Sequence, residues 1–379
     1  MSPAAAHATV LALNSGSSSL KFGLYRADGA GVEMLVAGAA EAIGSGQARF
    51  IARTADGKEL ACEEAPVANP EQAVRRVARL LAESGAPAPS VIGHRVVHGG
   101  ARRVHHCLID AAVERDLEEA AIFAPLHAPA ALAVIAFARQ HFPGVPQVAC
   151  LDTAFHAGMP EVARTLPIER DLAAAGIRRY GFHGLSCESI VRQLGDGVPG
   201  RLVIAHLGNG ASVTAVRHGR SVDTSMGLTP SGGVIMGTRS GDLDPGVLVY
   251  LMRARGLGAD GIEALVNARS GLLGISGIAS DMRALHDAEG GHADARLAVR
   301  MFCYAVCKQV AAMATALGGL DCLVLTGGIG ENDAEVRTAI SRGLAWLPPF
   351  ETRIMPAQEE AQVARHAWAL APPVRSKPA

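Results

Sequence analysis

Two arginines of this sequence stand beside glycines, where a ligand can come close to the backbone. Arg95 lies in the segment GHRVVHGG and Arg239 lies in the segment MGTRSGDLDP. A guanidinium group is always charged and presents a fixed fork of donors that suits carboxylate or phosphoryl oxygens. A lone arginine more commonly forms a surface salt bridge, so each segment by itself leaves both interpretations open.

Three apolar runs each end in a turn rich in glycine, serine or asparagine. They are TVLALNSGSSSLKF from residue 9, LVIAHLGNGASV from residue 202 and CLVLTGGIGEN from residue 322. Backbone N–H groups left uncovered at such turns, together with hydroxyl groups, can bind phosphate oxygens. The third turn alone could be an ordinary tight connection from a strand to a helix. Three such turns in one chain favour a nucleotide held between two related halves.

One acid and three histidines are further candidates for chemistry. Asp152 follows a predicted strand, where open α/β sheets place their ligands, although capping of a helix is an equal alternative. His127, His183 and His206 lie in segments interrupted by glycine or proline, and a structural histidine is the more common role. Their spacing matches neither HExxH nor a Cys/His zinc site, and the chain lacks the P-loop and protein-kinase patterns.

The elements that must position these residues alternate between strands and helices, which indicates an α/β fold. Val10–Leu13 and Leu20–Arg26 predict a hairpin around the first turn, and residues 201–223 repeat the same plan. Two hairpins of one design, half a chain apart, predict an internal duplication. A short strand is predicted over Gln147–Leu151, and helices are predicted over Pro70–Glu83, Ala111–Phe123, Pro129–His141 and Ala293–Leu317, with a further helix from Asn332 or Asp333.

Length and composition limit the classes of protein that remain. The 379 residues exceed what one core usually supports, so we expect two domains that divide near residue 149. A formal net charge of −1 argues against nucleic acid or an anionic membrane as partner. The chain begins without a signal-peptide pattern, and no apolar run approaches the ~20 residues of a membrane span. Seven cysteines without a CxxC pair favour a reducing cytoplasm.

Seven segments taken together resemble the acetate kinase family. In chain order they begin at Leu13, Gly93, Asp152, Arg179, His206, Met236 and Thr326, and the resemblance extends from residue 9 to about 365. It implies an α/β fold with two duplicated ribonuclease-H-like domains and a central nucleotide cleft, as in the actin-like ATPase superfamily. The implied domains are residues 1–149, completed by a C-terminal helix over 360–379, and residues 150–359.

The resemblance also implies an activity, which is the reversible transfer of the γ-phosphoryl group of ATP to acetate, giving acetyl phosphate and ADP. It implies Mg²⁺ as cofactor, with Mn²⁺ as the alternative, and a homodimer. Arg95 and Arg239 match the arginines that hold the acyl carboxylate and the phosphoryl group, and His183 matches a histidine that contacts that group. Asp152 matches an essential acid, to which we assign orientation or contact with metal-bound water, because the acyl oxygen is already ionised at neutral pH.

Other site residues are carried over by the same resemblance. The nucleotide site is expected at Lys21, in the phosphate loop His206, Leu207, Gly208, Asn209 and Gly210, and around the adenosine at Asp281, Met282, Arg283, Gly327, Gly328, Ile329, Gly330 and Glu331. The metal is expected at Asn14 and Glu359. The acyl group is expected at Arg95 and in an apolar pocket of Val97, Leu126, Phe182 and Pro230.

The chain departs from the family pattern at a few positions near the acyl pocket. Ala128 stands where the family has asparagine, residues 185–187 and 231–233 differ, and Gln358 replaces a common asparagine. Acetate is the preferred acceptor, but these changes leave propionate or butyrate open as the alternative, because one methylene in an apolar pocket discriminates by only ~10–200-fold. A rival from another class is an ATP-hydrolysing switch or chaperone-type module without a small acceptor, against which the two arginines argue.

Overall fold

The computed structural model describes residues 7–16, 18–125 and 127–371. These residues form two compact units. Unit 1 extends to Ala154 and resumes at Gln358, and unit 2 comprises Phe155–Ala357. The boundary expected at residues 149/150 falls inside a strand, Gln147–Leu151, that pairs within the sheet of unit 1, and the division follows that strand instead.

Unit 1 is built on an eight-stranded sheet in the order β5-β4-β3-β2-β1-β6-β8-β7. Strands β1 to β5 form an antiparallel meander, and β6 and β8 run parallel to β1. The predicted first hairpin is confirmed as β1–β2, in which Asn14 pairs with Lys21. The strands are β1 Ala8–Ser15, β2 Leu20–Asp28, β3 Gly31–Glu41, β4 Arg49–Thr54, β5 Glu59–Glu64, β6 Val91–Val96, β7 Cys107–Leu108 and β8 Gln147–Leu151.

Two helices of the amino-terminal part of unit 1 begin at a capping side chain. Asn69 accepts from the Gln72 N–H ahead of α1, and Asp110 caps α2 in the same way. The last predicted turn of α2 tightens into a 3₁₀ turn, a common ending for an α-helix. The elements are α1 Pro70–Glu83, α2 Ala111–Ala120, the 3₁₀ turn Ala121–Phe123 and α3 Ala128–His141.

Unit 2 is built on a five-stranded sheet in the order β11-β10-β9-β12-β13. The first three strands are antiparallel, and β12 and β13 run parallel to β9. The segment β3-β2-β1-β6-β8 of unit 1 has this same order and these same strand directions, as an internal duplication predicts. The strands are β9 Arg201–Leu207, β10 Ala211–Arg217, β11 Arg220–Thr224, β12 Cys322–Thr326 and β13 Glu351–Ile354.

The helix predicted from Asn332 or Asp333 is confirmed over Ala334–Gly343 with Asp333 as its cap, but a further short helix precedes it. The glycine-rich run after β12 is not a loop, because helix α12 covers Gly327–Asn332 and the side chain of Glu331 accepts from the Gly327 N–H. This carboxylate satisfies an N–H group that the first turn leaves unpaired. The helices of unit 2 up to this point are α4 Glu161–Arg164, α5 Arg170–Ala174, α6 Gly184–Leu194, α7 Pro245–Arg255, α8 Ala259–Ala268, α9 Gly271–Ser276, α10 Met282–Ala288 and α11 Ala293–Leu317.

Three further short elements complete unit 2. They are the 3₁₀ turns Ala154–His156, which begins at the division between the units, and Gly195–Gly197, and helix α13 Ala334–Gly343. Helix α11 is long and apolar enough, by length and composition, to cross a membrane. It packs on β9 and β10, and Phe302 and Val306 are fully buried, so within unit 2 it is a core helix.

Helix α14, Glu359–Leu370, belongs to unit 1 although it follows unit 2 in the chain. It packs on β1, β2, β6 and β8, and its residues Val363, Ala364 and Ala367 are fully buried. Gly93 on β6 makes this contact possible, because a Cβ at that position would lie 2.6 Å from Val363 Cγ1. The helix therefore contributes to the core of unit 1 and brings its first residues to the end of β1.

Candidate active site

The carboxyl ends of the parallel strands β1, β6 and β8 bring together the candidate residues of unit 1. Asn14 lies one residue before the end of β1, Arg95 lies one residue before the end of β6, and Asp152 follows β8. Asn14 Oδ1 accepts from Arg95 Nη1 at 3.1 Å. Asn14 Nδ2 donates to Glu359 Oε2 at 3.1 Å and to Glu360 Oε1 at 2.8 Å. We call these five residues the acidic cluster.

Arg95 and Asp152 form a buried ion pair at the centre of the acidic cluster. Arg95 Nη2 lies 2.5 Å from Asp152 Oδ2, the Asp152 side chain is fully buried, and that of Arg95 is 14% exposed. Burial raises the pKa of the Asp152 carboxyl to about 6, Arg95 opposes that shift, and Glu359 adds to it. The carboxylate is therefore ionised at neutral pH and fixes the direction of the guanidinium group. A pair of this kind orients charge more than it stabilises a fold.

Two buried polar atoms of the acidic cluster have no hydrogen-bond partner among the described residues. They are Asp152 Oδ1 and Arg95 Nε. Arg95 Nε lies 4.0 Å from Glu359 Oε2, which is too far for a hydrogen bond. Leaving such atoms unpaired is costly, so each calls for an explanation such as a ligand. Carboxylate and amide oxygens are the donors that Mg²⁺ prefers. The acidic cluster therefore fits an oxygen-liganded divalent cation and an anionic acceptor.

The other candidate residues expected in the amino-terminal half are Lys21, Val97, Leu126 and His127. Lys21 is exposed on β2, opposite Asn14 in the hairpin. Val97 is buried directly after β6. Leu126 lies outside the described residues. His127 precedes the first residue of α3 without a side-chain capping hydrogen bond.

Two histidines of unit 2 are stacked and are each oriented by a serine. The rings of His183 and His206 lie with their centroids 4.2 Å apart. His183 Nδ1 lies 2.9 Å from Ser212 Oγ, and His206 Nδ1 lies 2.8 Å from Ser186 Oγ. His183 has φ = 56°, an uncommon backbone conformation for a residue other than glycine. Such local strain is found more often at functional sites than elsewhere.

Arg239 and His183 converge on the bare backbone of Gly210. A Cβ built on Gly210 would lie 2.6 Å from Arg239 Nη2 and 3.3 Å from His183 Nε2. Arg239 is held in this position because its Nη1 donates to the carbonyl oxygen of Pro230 at 2.6 Å. The residues expected to contact the phosphoryl group thus meet at the turn between β9 and β10.

The turn itself is held in a defined shape. The Gly208 N–H donates to the Gly210 carbonyl at 3.0 Å, and the Gly237 N–H donates to the Asn209 carbonyl at 3.1 Å. A Cβ on Gly237 would lie 2.2 Å from Asn209 Oδ1, so a larger residue there would displace the Asn209 amide. Leu207, at the end of β9, is fully buried and anchors the turn to the sheet.

A cavity of about 750 Å³ within unit 2 begins at this turn. Its volume falls in the range of small-molecule sites. Asp281 caps α10 by accepting from the Arg283 and Ala284 N–H groups, so its position is fixed. The lining residues are Gly208, Asn209, Ser280, Asp281, Met282, Arg283, His286, Asp287, Gly328, Ile329, Asn332, Asp333, Ala334 and Glu335.

The carboxylate of Glu331 accepts hydrogen bonds from backbone N–H groups near this cavity. Its Oε1 accepts from the Gly327 N–H at 2.9 Å and from the Ala357 N–H at 3.0 Å. Gly330 lies close to β12, because a Cβ built on it would be 3.2 Å from the backbone carbonyl carbon of Leu325. These contacts hold α12 against β12, so this carboxylate shapes the cavity wall.

Sequence reasoning missed five residues of these sites. Glu360 lies closer to Asn14 than Glu359 does, and only the order of residues at the start of α14 could have indicated it. The two serines and the pair His286 and Asp333 contact residues 20 to 47 positions away. No local pattern signals such contacts. Phe182 is buried, and its carbonyl oxygen lies 2.9 Å from His156 Nε2.

Comparison with known proteins identifies relatives over most of the chain. Residues 9–353 match the model of the acetokinase family. The acetate kinase of Deinococcus deserti is 46% identical over 346 residues, which is 89% of this chain and 86% of that protein. The acetate kinase of a Synechococcus strain is 42% identical over 361 residues, covering 89% and 87%.

Solved structures agree with the sequence relatives. The acetate kinase of Porphyromonas gingivalis has a TM-score of 0.83 at 34% identity and covers 96% of this chain and 99% of its own. A propionate kinase from Francisella tularensis has a TM-score of 0.88 at 34% identity, with 96% and 100% covered. These structures confirm the predicted α/β class of the actin-like ATPase superfamily. The chain therefore belongs to the acetokinase family.

Proposed function

We propose that this chain is an acetate kinase that reversibly transfers the γ-phosphoryl group of ATP to acetate by direct in-line displacement. The observation that carries the proposal is the convergence of Arg239 and His183 on Gly210, at the edge of the cavity that begins with Gly208 and Asn209. Phosphoryl transfer needs alignment of two anions and neutralisation of charge on the equatorial oxygens. An arginine and a histidine beside a backbone turn supply donors for those oxygens.

Binding of the acceptor is assigned to Arg95. Its guanidinium group can hold the carboxylate of acetate, and Asp152 fixes the direction in which the guanidinium points. No general base is required, because the attacking carboxylate oxygen is already ionised at neutral pH. Asp152 therefore orients Arg95 and does not remove a proton from the substrate.

We assign the divalent cation, Mg²⁺ or alternatively Mn²⁺, to the oxygens of the acidic cluster. Glu359 and Glu360 supply carboxylates next to Asn14, and the unpaired Asp152 Oδ1 adds a buried oxygen. When bound, the cation would supply charge neutralisation for the phosphate oxygens of the nucleotide. Oxygen donors of this type suit a hard cation better than a thiolate or imidazole set would.

The nucleoside is assigned to the cavity of unit 2 between the turn at Gly208 and helix α10. Small residues at Gly328 and in the turn let a flat base and a ribose approach the backbone closely. Acetate is the preferred acceptor, because the relatives at 40–46% identity carry that name, and propionate is the alternative. A kcat/KM series over formate, acetate, propionate and butyrate separates these acceptors.

A trapping assay tests the proposal against an ATP-hydrolysing switch. Hydroxylamine converts acetyl phosphate to the hydroxamate, so product from ATP, Mg²⁺ and acetate is measured directly. We expect hydroxamate to form only with acetate present and ADP release to depend on acetate. Equal ADP release without acetate would contradict the kinase function and favour the switch.

We further propose a homodimer in the cytoplasm, formed through the apolar helices of unit 2. Helix α7 has no buried residue, and its Tyr250 is 63% exposed. An apolar groove of about 650 Å³ on α11 is flanked by Tyr304 and Trp346, which are 67% and 71% exposed. Exposed apolar area of this kind marks association surfaces. Light scattering on wild-type protein and a Tyr250→Glu variant tests this, and a monomeric wild type would contradict it.

A further inference from the structure

His286 joins helix α10 to the start of helix α13 at the wall of the nucleoside cavity. Its Nδ1 lies 2.8 Å from Glu289 Oε1, and its Nε2 lies 2.9 Å from Asp333 Oδ2. Glu335 Oε2 lies 3.7 Å from Nδ1. The side chain of His286 is 19% exposed and that of Asp333 is 13% exposed, so water replaces these contacts poorly.

The geometry determines the protonation state of this ring. An ionised carboxylate can only accept hydrogen bonds, and a neutral imidazole has a single N–H group. Either neutral tautomer would therefore direct a nitrogen lone pair at Glu289 or at Asp333. With both ring nitrogens protonated, each donates to its own carboxylate, and both distances fit such hydrogen bonds. His286 is thus an imidazolium shared by acidic side chains of two helices.

The groups around His286 on each packed element support this state. Burial by itself lowers the pKa of His286, but the hydrogen bonds and charges of Asp333 and Glu289 outweigh it and raise the pKa above its ordinary value. On α11, burial raises the pKa of Cys303 to about 12, so this thiol stays neutral and adds no charge. Arg296, also on α11, donates to the Glu289 carbonyl oxygen, not to its carboxylate.

The remaining charges of α10 do not replace the imidazolium. Arg283 lies on α10 itself, but its Nε is 3.5 Å from Asp281 Oδ1 and its side chain is 90% exposed. Asp287 lines the same cavity and carries the same sign as Asp333. Asp333 also caps α13 by accepting from the Val336 N–H at 2.9 Å. The carboxylate that holds His286 is therefore itself fixed by a helix.

We infer that protonated His286 is a positioning residue of the nucleoside site, which holds α10 with its Asp281 and Arg283 in place, and that loss of its proton weakens nucleotide binding. The inference rests on the proposed function, because it requires the nucleotide to occupy this cavity. Deprotonation turns one ring nitrogen into an acceptor facing the carboxylate of Glu289 or Asp333, and it removes the positive charge that attracts the cap of α13 to α10. The stabilisation is complete at low pH and is lost as the pH rises through the raised pKa of His286.

The effect should separate binding from chemistry. His286 is hydrogen-bonded to Glu289 and Asp333, whereas Arg239 and His183 meet at Gly210, so kcat at saturating ATP should be unchanged while the KM for ATP rises. We expect the Kd for ADP to change by about fivefold to tenfold, which corresponds to about 1–1.4 kcal/mol.

Calorimetric titration of the full chain with ADP between pH 6 and 9 tests the inference. His286→Gln keeps one donor and one acceptor but removes the charge, and His286→Lys restores a charge that does not titrate in this range. His105→Gln changes an exposed histidine of unit 1 and serves as the matched control. Thermal unfolding of each variant shows whether it is folded, and Lys serves as the second variant if Gln destabilises the chain.

We expect the Kd for ADP of wild-type protein and of His105→Gln to rise about fivefold to tenfold between pH 6 and 9. The Kd of each His286 variant should show no such rise over the same range. His286→Gln should bind weakly at every pH, and His286→Lys should bind more tightly than His286→Gln. Retention of the wild-type affinity and pH dependence in His286→Gln would overturn the inference while leaving the kinase function intact. Failure of wild-type protein to bind ADP at any pH would instead remove the proposed function, and the inference with it.

Discussion

Adding a single methyl group to Gly210 tests the proposed phosphoryl site without removing any charged group. In Gly210→Ala the new Cβ would lie 2.6 Å from Arg239 Nη2, whereas ordinary van der Waals contact begins near 3.4 Å. The guanidinium must therefore retreat by about 0.8 Å, which approaches the ~1 Å misplacement that can cost ~100-fold in rate. Its Nη1 is hydrogen-bonded to the Pro230 carbonyl, so retreat also disturbs that contact. We expect kcat to fall by about 100-fold.

Stability should change little in the same variant, and this makes the test specific. The atom that must move is the end of a flexible side chain, and the Gly210 backbone lies outside the left-handed region that excludes alanine. Gly197→Ala, where a Cβ meets nothing within 4 Å, is the matched control and should keep wild-type kcat and melting temperature.

A double-mutant cycle decides whether the effect acts through Arg239. If it does, Gly210→Ala should add little to the loss already caused by Arg239→Ala, because residues that act as a unit are not additive. Steady-state kinetics of the four proteins, with hydroxamate as product, gives the coupling. Wild-type kcat in Gly210→Ala, or strictly additive losses, would refute the convergence argument.

Four further outcomes follow from the acidic cluster and the acyl residues. Arg95→Ala should lower kcat by orders of magnitude in the hydroxamate assay, since its charge acts mainly on the transition state; near-normal turnover would exclude Arg95 from the mechanism. Glu359→Gln should raise the Mg²⁺ concentration for half-maximal activity by about tenfold or more, and an unchanged requirement would place the metal elsewhere. The folded-state pKa of Asp152 is raised from 3.8 to about 6, so wild-type protein should lose stability relative to Asp152→Asn as the pH rises between those values. Urea unfolding measures this, and an equal pH dependence of the free energy of unfolding in both proteins would contradict the raised pKa. Val97→Ala should shift the propionate-to-acetate ratio of kcat/KM upward by up to ~10-fold, whereas an unchanged ratio would remove Val97 from the pocket.

The sequence predicted the parts of the fold that local patterns determine. Both hairpins, strand Gln147–Leu151 and helix Pro70–Glu83 form where apolar periodicity, turns and caps placed them. Asn14, Arg95 and Asp152 could be predicted as neighbours because each stands at or near the end of a strand, and parallel strand ends share one edge of a sheet.

The remaining features depend on contacts that no local pattern encodes. Helix α12 begins at Gly327 because Glu331 accepts from its N–H, a tertiary arrangement that outweighs the low helix propensity of three glycines. The last predicted turn of α2 became 3₁₀ because a helix end has no following partner for its carbonyls. The contact of His286 with Asp333 spans 47 positions and could be found only from coordinates.

Helix α14 imposes an order of assembly on the nascent chain. The ribosome completes the whole of unit 2 before it synthesises α14. Until then the strands of unit 1 lack the helix that packs on β1, β2, β6 and β8, and Asn14 lacks its two glutamates. Unit 1 therefore completes its folding after unit 2, and some apolar strand residues of unit 1 stay uncovered until then. Protease digestion of stalled nascent chains should show protection of unit 2 ahead of unit 1, and early protection of unit 1 would contradict this order. Until α14 is made, the strand residues that pack against Val363, Ala364 and Ala367 remain open to solvent.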